Sequence, residues 1–557
     1  MAIAVSAIAA AILAAGGSIA QVPPPAELQP GISPDRVPPL AEPLPQPDVE
    51  VPAQPSPAVP PGAEGAVFLL AGLEVDGSTV YEPGVFRQYY EEYLQTEISL
   101  ATLYGIATAI ETRYREDGYI LSRVIVPAQS VSDGIYRLQA IEGYVTQVLL
   151  EGEVGSVRGL VQSYLDKITR NRPVNIRDIE RYLLLMNDLP GIRGNGVLRP
   201  AGAEIGAAEL IVTATRDAFD GFVLADNRGS EFTGEQGVAL GAATSSFTSF
   251  GERAELVLFS ALDDKEQRVG QITYEQQIGS EGLTISGLAS YGTSEPGGTL
   301  APLDIEQETT LFSISASYPY VRTRRFNFGV EAGFDYVDQT SDLAGSPLFD
   351  DSLRVLWATA EADYRDSFGG ANFGSIGVRA GLPILGASED TDNNRSRVDG
   401  NADFVSLNAE AARLQRLTSN LNLLVSLGGQ YGFGELLSSE EFEVGGLSFG
   451  RGYDPSELTG DSGAGSTVEL QFNNRPGLSW LDSYQVYAFW DFGVVWNYDP
   501  LADKQDTLSS AGLGIRSNLT DWLSLDLEVA QPLTRELENR TEDRDSERYF
   551  FRVTGQF

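Results

Sequence analysis

Apolar and polar residues alternate with a period of two in many segments between Ala218 and Phe557. In FNFGVEAGFDYV, the even positions from Phe326 to Tyr336 are all apolar, and the odd positions between them are polar or glycine. LNLLVSLGGQYGF and TLFSISASYPY repeat this pattern. Because successive side chains of a strand point to opposite faces, each segment predicts a strand with one apolar and one polar face.

The composition of the two faces favours a membrane barrel over a soluble sandwich, which also alternates. The apolar faces are uninterrupted and end in Tyr, Phe or Trp, as in interfacial aromatic girdles, whereas the polar faces use Ser, Gly, Asn and single carboxylates. Since lipid offers no partner to an open sheet edge, the strands must close. The segment 218–557 therefore predicts a transmembrane antiparallel β-barrel of about 16 strands, at roughly 10 residues per strand.

Two residue types that many enzymes need are absent, because the 557 residues include no histidine and no cysteine. This excludes disulfides, thiol nucleophiles, Cys-type zinc sites and the commonest general base. Carboxylate chemistry and a Ser-Lys pair stay chemically open, but no spacing favours them, so we expect no enzyme, metal or cofactor. The sequence contains no GxxxxGK[ST] motif, which would indicate nucleotide binding, and the formal charge of −40 argues against a nucleic-acid partner.

The N-terminal region predicts export followed by a spacer. Residues 1–20 are small and apolar and end in SIA, which predicts a signal peptide; a membrane anchor is the alternative. Residues 21–65 form a proline-rich linker, with fifteen of the 29 prolines between Val22 and Gly62. Because proline lacks an amide hydrogen, we expect an extended chain without helix or strand pairing. A motif for a proline-binding partner is the alternative.

Residues 66–143 and 144–217 repeat one pattern of a strand, two helices and two strands. The first copy contains VFLLAGLEVDG, a helix with an apolar face from Leu100 to Tyr114, ILSRVIVP and GIYRLQAIEG. The second contains VTQVLLEG, two helical segments and AAELIVTATRD. Each copy is long enough for a small α+β domain with helices on one face of a sheet.

These parts, in this order, resemble the transporters of two-partner secretion, the haemolysin activation/secretion family to which ShlB and FhaC belong. The family sits in a superfamily of barrels with POTRA domains that also includes outer-membrane insertases. Matching stretches are YREDGYILSRVIVPAQ, DGIYRLQAIEGYV, ADNRGSEFTGEQGVALGAATSSFTSFGERAEL, FGRGYDP and FWDFG. The resemblance covers nearly the whole chain after residue 66 and implies two POTRA domains, 66–143 and 144–217, before the barrel.

A loop of the barrel carries the most specific part of the resemblance. In that family, the sixth extracellular loop folds back into the barrel and its arginine pairs with an aspartate of the wall, which implies an inward-folded loop at 444–466. The loop motif falls on Gly450, Arg451, Gly452 and Tyr453. The wall motif, F-x-D-x-G, falls on Phe489, Asp491 and Gly493.

Local patterns agree with this pairing. In YQVYAFWDFGVVW the even positions are lipid-compatible, which places Asp491 on the lumenal face, where a carboxylate requires a cation. Arg451 is flanked by two glycines, which permit unusual φ angles and close approach. A solvated surface loop is the alternative.

The last strand, RYFFRVTGQF, alternates and ends on Phe557. A chain that ends on an aromatic strand residue resembles the C-terminal signature of bacterial outer-membrane proteins. We therefore predict that Phe557 is a barrel assembly signal for the outer-membrane assembly machinery.

The resemblance implies a translocator in the outer membrane of a diderm bacterium, with the lipid bilayer around its barrel and its POTRA domains in the periplasm. Its partner would be a secreted exoprotein, captured unfolded through an N-terminal secretion domain and conducted outward. We expect capture by β-augmentation, because a POTRA sheet edge at Leu121, Val124 and Val126 would offer free backbone donors and acceptors.

Other interpretations remain open. An insertase of the same superfamily usually carries more POTRA domains, and a passive porin lacks α+β modules before its barrel. The family often has an N-terminal helix that plugs the pore, but the proline-rich stretch argues against one here. Residues Glu389–Asp403 suggest a calcium loop, yet Arg395 stands where a tight turn requires glycine, so we expect a hydrated outer loop.

Overall fold

The computed structural model describes residues 49–50, 59–131, 133–202, 204–262, 266–389, 391–397, 399–498, 504–534 and 547–557. The predicted signal peptide, the region where a pore-plugging helix would lie and most of the predicted linker fall outside the described residues. Within the described residues, no helix is both long and apolar enough to cross a membrane.

Two α+β units precede the barrel. Their elements, in chain order, are β1 (Val49–Glu50), β2 (Val67–Leu70), β3 (Gly72–Asp76), β4 (Thr96–Ser99), α1 (Leu100–Glu116), β5 (Arg123–Ile125), β6 (Ile135–Ile141), β7 (Tyr144–Glu151), α2 (Arg158–Leu165), α3 (Ile176–Asn187), β8 (Ile192–Pro200) and β9 (Ala207–Arg216). Short 3₁₀ helices span Pro83–Tyr89, Glu91–Tyr93, Gly155–Val157 and Asp166–Arg170.

The first unit packs α1 against a sheet of order β3-β6-β5, while β2 pairs separately with β4. Ser99 caps α1, because its hydroxyl oxygen accepts the N–H of Thr102 at 3.1 Å, one of the donors that a helix start leaves unpaired. Leu103, Ile110 and Tyr114 of α1 are completely buried in the core. They form the apolar helix face that the sequence predicts.

The second unit packs α2 and α3 against a sheet of order β1-β8-β9-β7. Its edge strand β1 comes from the predicted linker and pairs in parallel with β8, Val49 opposite Gly196 and Glu50 opposite Val197. The expectation that the linker pairs with no strand is therefore wrong at these two residues. Neither is a proline, so both keep the amide hydrogen that strand pairing uses.

Sixteen strands close into an antiparallel barrel, as the sequence predicts. They are β10 (Phe219–Asp226), β11 (Gly237–Ser245), β12 (Glu252–Ala261), β13 (Arg268–Ile278), β14 (Leu283–Ser294), β15 (Ile305–Arg322), β16 (Phe326–Leu343), β17 (Ser346–Arg365), β18 (Gly370–Gly381), β19 (Val405–Arg416), β20 (Leu421–Gly432), β23 (Ser462–Asn474), β24 (Ser483–Trp496), β25 (Gln505–Asn518), β26 (Leu523–Pro532) and β27 (Arg548–Gln556). Between β20 and β23 lie β21 (Phe442–Val444), α4 (Gly446–Phe449) and β22 (Leu458–Gly460), and 3₁₀ helices span Gly298–Leu303 and Ser438–Glu440.

The alternation along each strand sorts side chains between the outer surface and the lumen. Phe312 and Ile314 of β15 are 53% and 59% exposed on the outer surface. Ser313, between them, points to the other face and donates its hydroxyl to Asp335 of β16 at 2.7 Å. The lumen therefore collects the polar side chains, which pair with one another across neighbouring strands.

The second unit contacts the barrel at the short turns after β13 and β15. Asp188, just past α3, pairs with Arg322 at 2.6 Å, and Lys167 pairs with Glu281. Because neighbouring strands are antiparallel, the loop between β20 and β23 starts at the opposite end of the barrel. The α+β units and this loop thus approach the lumen from opposite sides.

The barrel closes where β10 pairs with β27. This closing seam has five paired positions, from Phe222 opposite Gln556 to Asp226 opposite Arg552. The adjacent pairings β10–β11 and β26–β27 have eight each, so the seam is the shortest of the three. Contacts made by side chains therefore matter more for holding β27 at the seam than at its other edge.

Candidate functional site

The loop between β20 and β23, residues 433–461, folds back into the barrel. Strand β21 pairs with β22 and contacts β23 and β24 of the wall, and α4 contacts the same two wall strands. Strand β22 contacts β24 and β25. Since β23 already begins at Ser462, the loop starts and ends earlier than the predicted range 444–466. The last residues of that range belong to the barrel wall.

Glycines shape the tip of the loop. Gly450 has a φ of 151°, which a residue with a side chain adopts only with strain. Gly452 lies against the chain between Gln531 and Pro532, where a Cβ would come within 3.0 Å of backbone atoms. An unusual φ and a close approach are the two properties that the sequence predicts for the glycines flanking Arg451.

Glycines of the wall make room for the loop. A Cβ on Gly493 would lie 1.9 Å from Cγ1 of Val444 in β21. A Cβ on Gly465 would lie 2.2 Å from the ring of Phe449 in α4. Any larger residue at these positions would overlap the loop, so Gly493 of the predicted wall motif serves loop packing.

Arg451 is bound to Asp491 by three hydrogen bonds. The backbone N–H and Nε of Arg451 donate to Oδ2, and Nη2 donates to Oδ1, each at 3.0 Å. The hydroxyl of Thr467 adds a donor to Oδ1 at 3.0 Å. The predicted contact between Arg451 and Asp491 is therefore present, in the two-oxygen geometry that a guanidinium and a carboxylate favour.

Two further carboxylates, which the sequence analysis missed, surround Arg451. Its Nη1 donates to Glu469 at 2.6 Å and lies 3.8 Å from Glu528. Glu469 also pairs with Arg516 at 2.7 Å. Alternation alone assigns Glu469 to the lumenal face of β23, but only the register, which sets it opposite Phe489 of β24, brings it beside Arg451.

An aromatic ring completes the arginine site. The guanidinium carbon of Arg451 lies 3.5 Å from the ring centroid of Phe489, the geometry of a cation–π contact. Phe489 in turn lies over Gly512 of β25, where a Cβ would come within 2.5 Å of the ring. Phe489 and Asp491 of the predicted wall motif therefore both contact the arginine of the loop motif.

Tyr453 fixes the other side of the loop tip. It is 1% exposed and packs with Val444 and Leu508. Its hydroxyl donates to the carbonyl oxygen of Ser509 in β25 at 3.2 Å. The loop motif thus holds the tip to β25 as well as to β24.

Burial decides how strongly these charges depend on one another. Arg451, Glu469 and Asp491 are 5%, 2% and 0% exposed. An exposed ion pair contributes about 0 to 1 kcal/mol, whereas a buried one that loses a partner costs about 3 to 5 kcal/mol. The ion pairs of Arg451 are of the buried kind, so breaking them is costly and they anchor the loop to the wall.

The predicted cargo-binding edge is less open than expected. Leu121 belongs to the core of the second unit, and Val126 is half-buried against the core of the first. Val124 of β5 donates its N–H to the buried carboxylate of Glu111 at 3.1 Å. The central donor of this three-residue strand is therefore already used, and cargo binding at this edge stays a prediction.

Phe557 lies at the closing seam. It is 80% exposed, and its backbone N–H and carbonyl both bond to the backbone of Gly221, at 3.0 and 2.9 Å. The terminal residue thus lengthens the pairing of β27 with β10. Its role as an assembly signal stays a prediction.

The loop considered for calcium lies at the same end of the barrel as the inward loop. Asp390 falls outside the described residues, and the carboxylate of Asp392 accepts the N–H of Glu389 at 2.8 Å. Within the described part of the chain, no three or more Asp and Glu side chains are arranged to hold a metal ion.

Comparisons with known proteins bear on both parts of the chain. Residues 206–517 match the family described as haemolysin secretion/activation protein ShlB/FhaC/HecB, and residues 68–143 match the POTRA domain of ShlB type. The heme/hemopexin transporter protein HuxB of Haemophilus influenzae is 22% identical over 459 residues, 81% of this chain and 80% of that protein. The outer membrane transporter CdiB of Dickeya dadantii is 25% identical over 498 residues, 85% and 84% of the two chains.

Solved structures share the architecture. CdiB from Escherichia coli superposes with a TM-score of 0.75 at 19% identity, over 90% of this chain and 93% of that one. BamA from Haemophilus ducreyi lacking POTRA domains 1–3 gives a TM-score of 0.51 at 13% identity, over 88% and 100%. At these identities the likeness shows the fold alone. Because the family match spans more than half of the sequence, the chain belongs to the haemolysin secretion/activation family ShlB/FhaC/HecB.

Proposed function

We propose that this protein is the outer-membrane transporter of a two-partner secretion system, with POTRA domains in the periplasm and a barrel that conducts a secreted exoprotein outward. The observation that carries this proposal is the match of residues 206–517 to the haemolysin secretion/activation family. Relatives that cover most of the chain are named as transporters, one of them for heme/hemopexin. The identity of 22% to that relative does not extend its cargo to this chain.

The anchored loop sets a condition for transport. It fills part of the lumen and is held by buried contacts of Arg451 and Tyr453 to β24 and β25. An exoprotein segment must therefore pass beside the loop or displace it. We propose that the Arg451 site holds the loop in the resting channel, and that folding of the cargo outside the cell draws the chain through.

For capture of the cargo, β8 of the second unit offers a better edge than β5. It has nine residues, and among the described strands only β1 pairs with its outer edge, at Gly196 and Val197. That pairing supports an edge that accepts an extended chain in parallel. We propose that an unfolded segment of the exoprotein adds to this sheet, with backbone hydrogen bonds supplying most of the affinity.

Two superfamily alternatives predict different ligands. An insertase would bind unfolded precursors of other barrels, and a passive porin would bind no unfolded chain. The BamA likeness at 13% identity supports a shared fold and gives no support for insertase activity. The α+β units before the barrel would have no role in a passive porin.

Binding by the full-length protein in proteoliposomes tests the proposal. The probes are the unfolded N-terminal secretion domain of a large exoprotein from the same bacterium and an unfolded porin precursor of similar length. We expect binding of the first probe and not of the second. Binding of the porin precursor alone would favour an insertase, and binding of neither would contradict a transporter.

The same experiment locates the edge, because the chain has no cysteine of its own. A single cysteine that carries a photocrosslinker is placed at Val197 of β8 or at Ile125 of β5. We expect the exoprotein domain to crosslink at Val197. Crosslinking at Ile125 alone would return the capture site to the edge that the sequence predicts.

A further inference from the structure

The stretch Asp226-Asn227, at the end of β10, crosses the closing seam with two side chains. Asp226 pairs with Arg552 of β27 at 3.1 Å. The side-chain amide of Asn227 donates to the carbonyl of Tyr549 at 2.9 Å and accepts the N–H of Phe551 at 2.7 Å. The side chain of Asn227 thereby supplies hydrogen-bond partners to the backbone of β27 just beyond the point where its pairing with β10 ends.

Arg228, the next residue, extends these contacts over the lumenal face of β27. It pairs with Glu528 of β26 at 3.0 Å, and its guanidinium lies 4.6 Å from the ring centroid of Phe550. The guanidinium of Arg548 lies 4.9 Å from the same ring. The ring of Phe550 is therefore shared by two arginines, one that follows β10 and one in β27, and both lie within the distance of a cation–π contact.

The inward loop reaches this same cluster through Asp454. The carboxylate of Asp454 forms an ion pair with the guanidinium of Arg548. The two residues are 4% and 8% exposed. Asp454 stands three positions after Arg451, yet Arg451 binds Asp491 of β24 and Asp454 binds the last strand of the barrel.

We propose that Asp454 and Arg548 form a second latch for the inward loop, which ties the loop tip to the closing seam as Arg451 ties it to the wall. The inference rests on the proposed function only for its consequence in secretion. Asp454 and Arg548 are positioning residues: they hold the loop, and they make its withdrawal and the loosening of β27 one event. Loss of the latch removes a buried ion pair between the loop and β27 and favours a loop outside the lumen.

Conductance of the purified full-length protein in planar bilayers tests the latch without any exoprotein. Asp454→Ala and Arg548→Ala should each raise the ratio of time that the channel spends in its open state to time in its resting state by about tenfold or more. A shift of this size follows from the loss of a desolvated ion pair. The double alanine variant should do no more than either single change, because both remove the same contact. The reversed pair, Asp454→Arg with Arg548→Asp, should restore most of the resting state.

The matched control is the exposed pair of Arg137 and Glu74 in the first unit, whose side chains are 63% and 52% exposed. Reversal of that pair should leave conductance unchanged. If an alanine variant does not fold, Asp454→Asn or Arg548→Gln replaces it, because each removes the charge with a smaller change in the size of the side chain. Folding is checked by the shift in gel mobility on heating.

Hydrogen exchange of the β27 amides distinguishes a latch that holds β27 from an ion pair that only neutralises two buried charges, because only the latch affects the stability of the strand. We expect faster exchange in β27 of Asp454→Ala than in the control, although Asp454 is a loop residue. Wild-type conductance in both single variants, or no rescue by the reversed pair in a folded barrel, would overturn the inference. Absence of secretion by the wild type would contradict the proposed function and leave this test intact.

Discussion

The lumenal wall around the inward loop and the wall across the barrel use their carboxylates differently. On β23–β26, Asp491, Glu469 and Glu528 are buried, and each lies within ion-pair distance of an arginine. On β13–β19, Asp335 pairs with Arg379 at 3.1 Å, but within the part of the chain that the structure describes four lumenal glutamates have no ion pair. These are Glu275, Glu331, Glu361 and Glu410.

The difference follows from what covers each wall. The loop removes water from β23–β26, and a buried charge without a partner is costly there. On the opposite wall Glu275, Glu331 and Glu410 are half-buried and Glu361 is exposed. Glu331 and Glu361 can therefore keep water as a partner, whereas one carboxylate oxygen of Glu410 is enclosed by the protein. β23–β26 are therefore the main socket for the loop, which reaches across only to Arg379 of β18 through Glu440 among the described ion pairs. The wall formed by β13–β17 is the more solvated side of the lumen.

Arg451→Ala should give the largest effect, because it leaves the buried carboxylate of Asp491 without its cation, while Glu469 keeps Arg516, at a cost of about 3 to 5 kcal/mol. We expect a folded, inserted barrel that secretes its exoprotein poorly. Exoprotein in the medium is measured against the amount of heat-modifiable barrel in the membrane. Glu331→Gln, on the solvated wall, is the control, and normal secretion by the Arg451 variant would remove the distinction between the walls.

Gly512→Ala should have a smaller effect on the same socket. Its Cβ would lie 2.3 Å from the carbonyl oxygen of Val529 and 2.5 Å from the ring of Phe489, so the ring beneath Arg451 must move. Overpacking of this kind costs about 1 to 3 kcal/mol. We expect a fractional loss of secretion and a raised conductance.

The control for Gly512→Ala is Gly287→Ala in β14, where the nearest atom to a Cβ is 3.9 Å away. Equal effects of the two substitutions would mean that the ring position is unimportant. The comparison thus separates crowding in the socket from a general cost of replacing a strand glycine.

Neutralising the solvated wall should have the smallest effect on folding. Glu331→Gln with Glu361→Gln removes two water-facing charges and should leave the free energy of unfolding within about 0.5 kcal/mol. The preference of the channel for cations over anions should fall, because these carboxylates face the ions. Reversal potentials in a salt gradient measure this ion preference. A secretion defect as large as that of Arg451→Ala would contradict the assignment of this wall as solvated.

Much of the fold can be predicted from the sequence because alternation is a local property. It assigns Phe326–Tyr336 and Asp491 to the correct faces, and the turn glycines around Arg451 follow from φ and close approach. The edge strand β1 could not be predicted, since the prolines around Val49–Glu50 hide the two residues that still pair.

Contacts between side chains of different strands could not be predicted from the sequence. Glu469 and Glu528 lie beside Arg451 only because of the register of β23–β26. The linear pattern assigns Leu121 to a sheet edge, yet it packs into the core of the neighbouring unit. A local pattern assigns a residue to a face of its strand but does not identify the residue that faces it.

The central claim is that the loop lies inside the barrel against β24, and a disulfide between Val444→Cys and Gly493→Cys tests it directly in a chain without other cysteines. A Cβ on Gly493 would lie 3.0 Å from the Cβ of Val444. This is about 0.5 Å below the shortest Cβ–Cβ separation of a disulfide, so a small shift of the loop would allow the bond. The control pairs Val444→Cys with Ser315→Cys on the solvated wall. We predict that the first pair crosslinks in membranes and the control does not; a folded first variant that stays reduced under oxidising conditions would contradict the account.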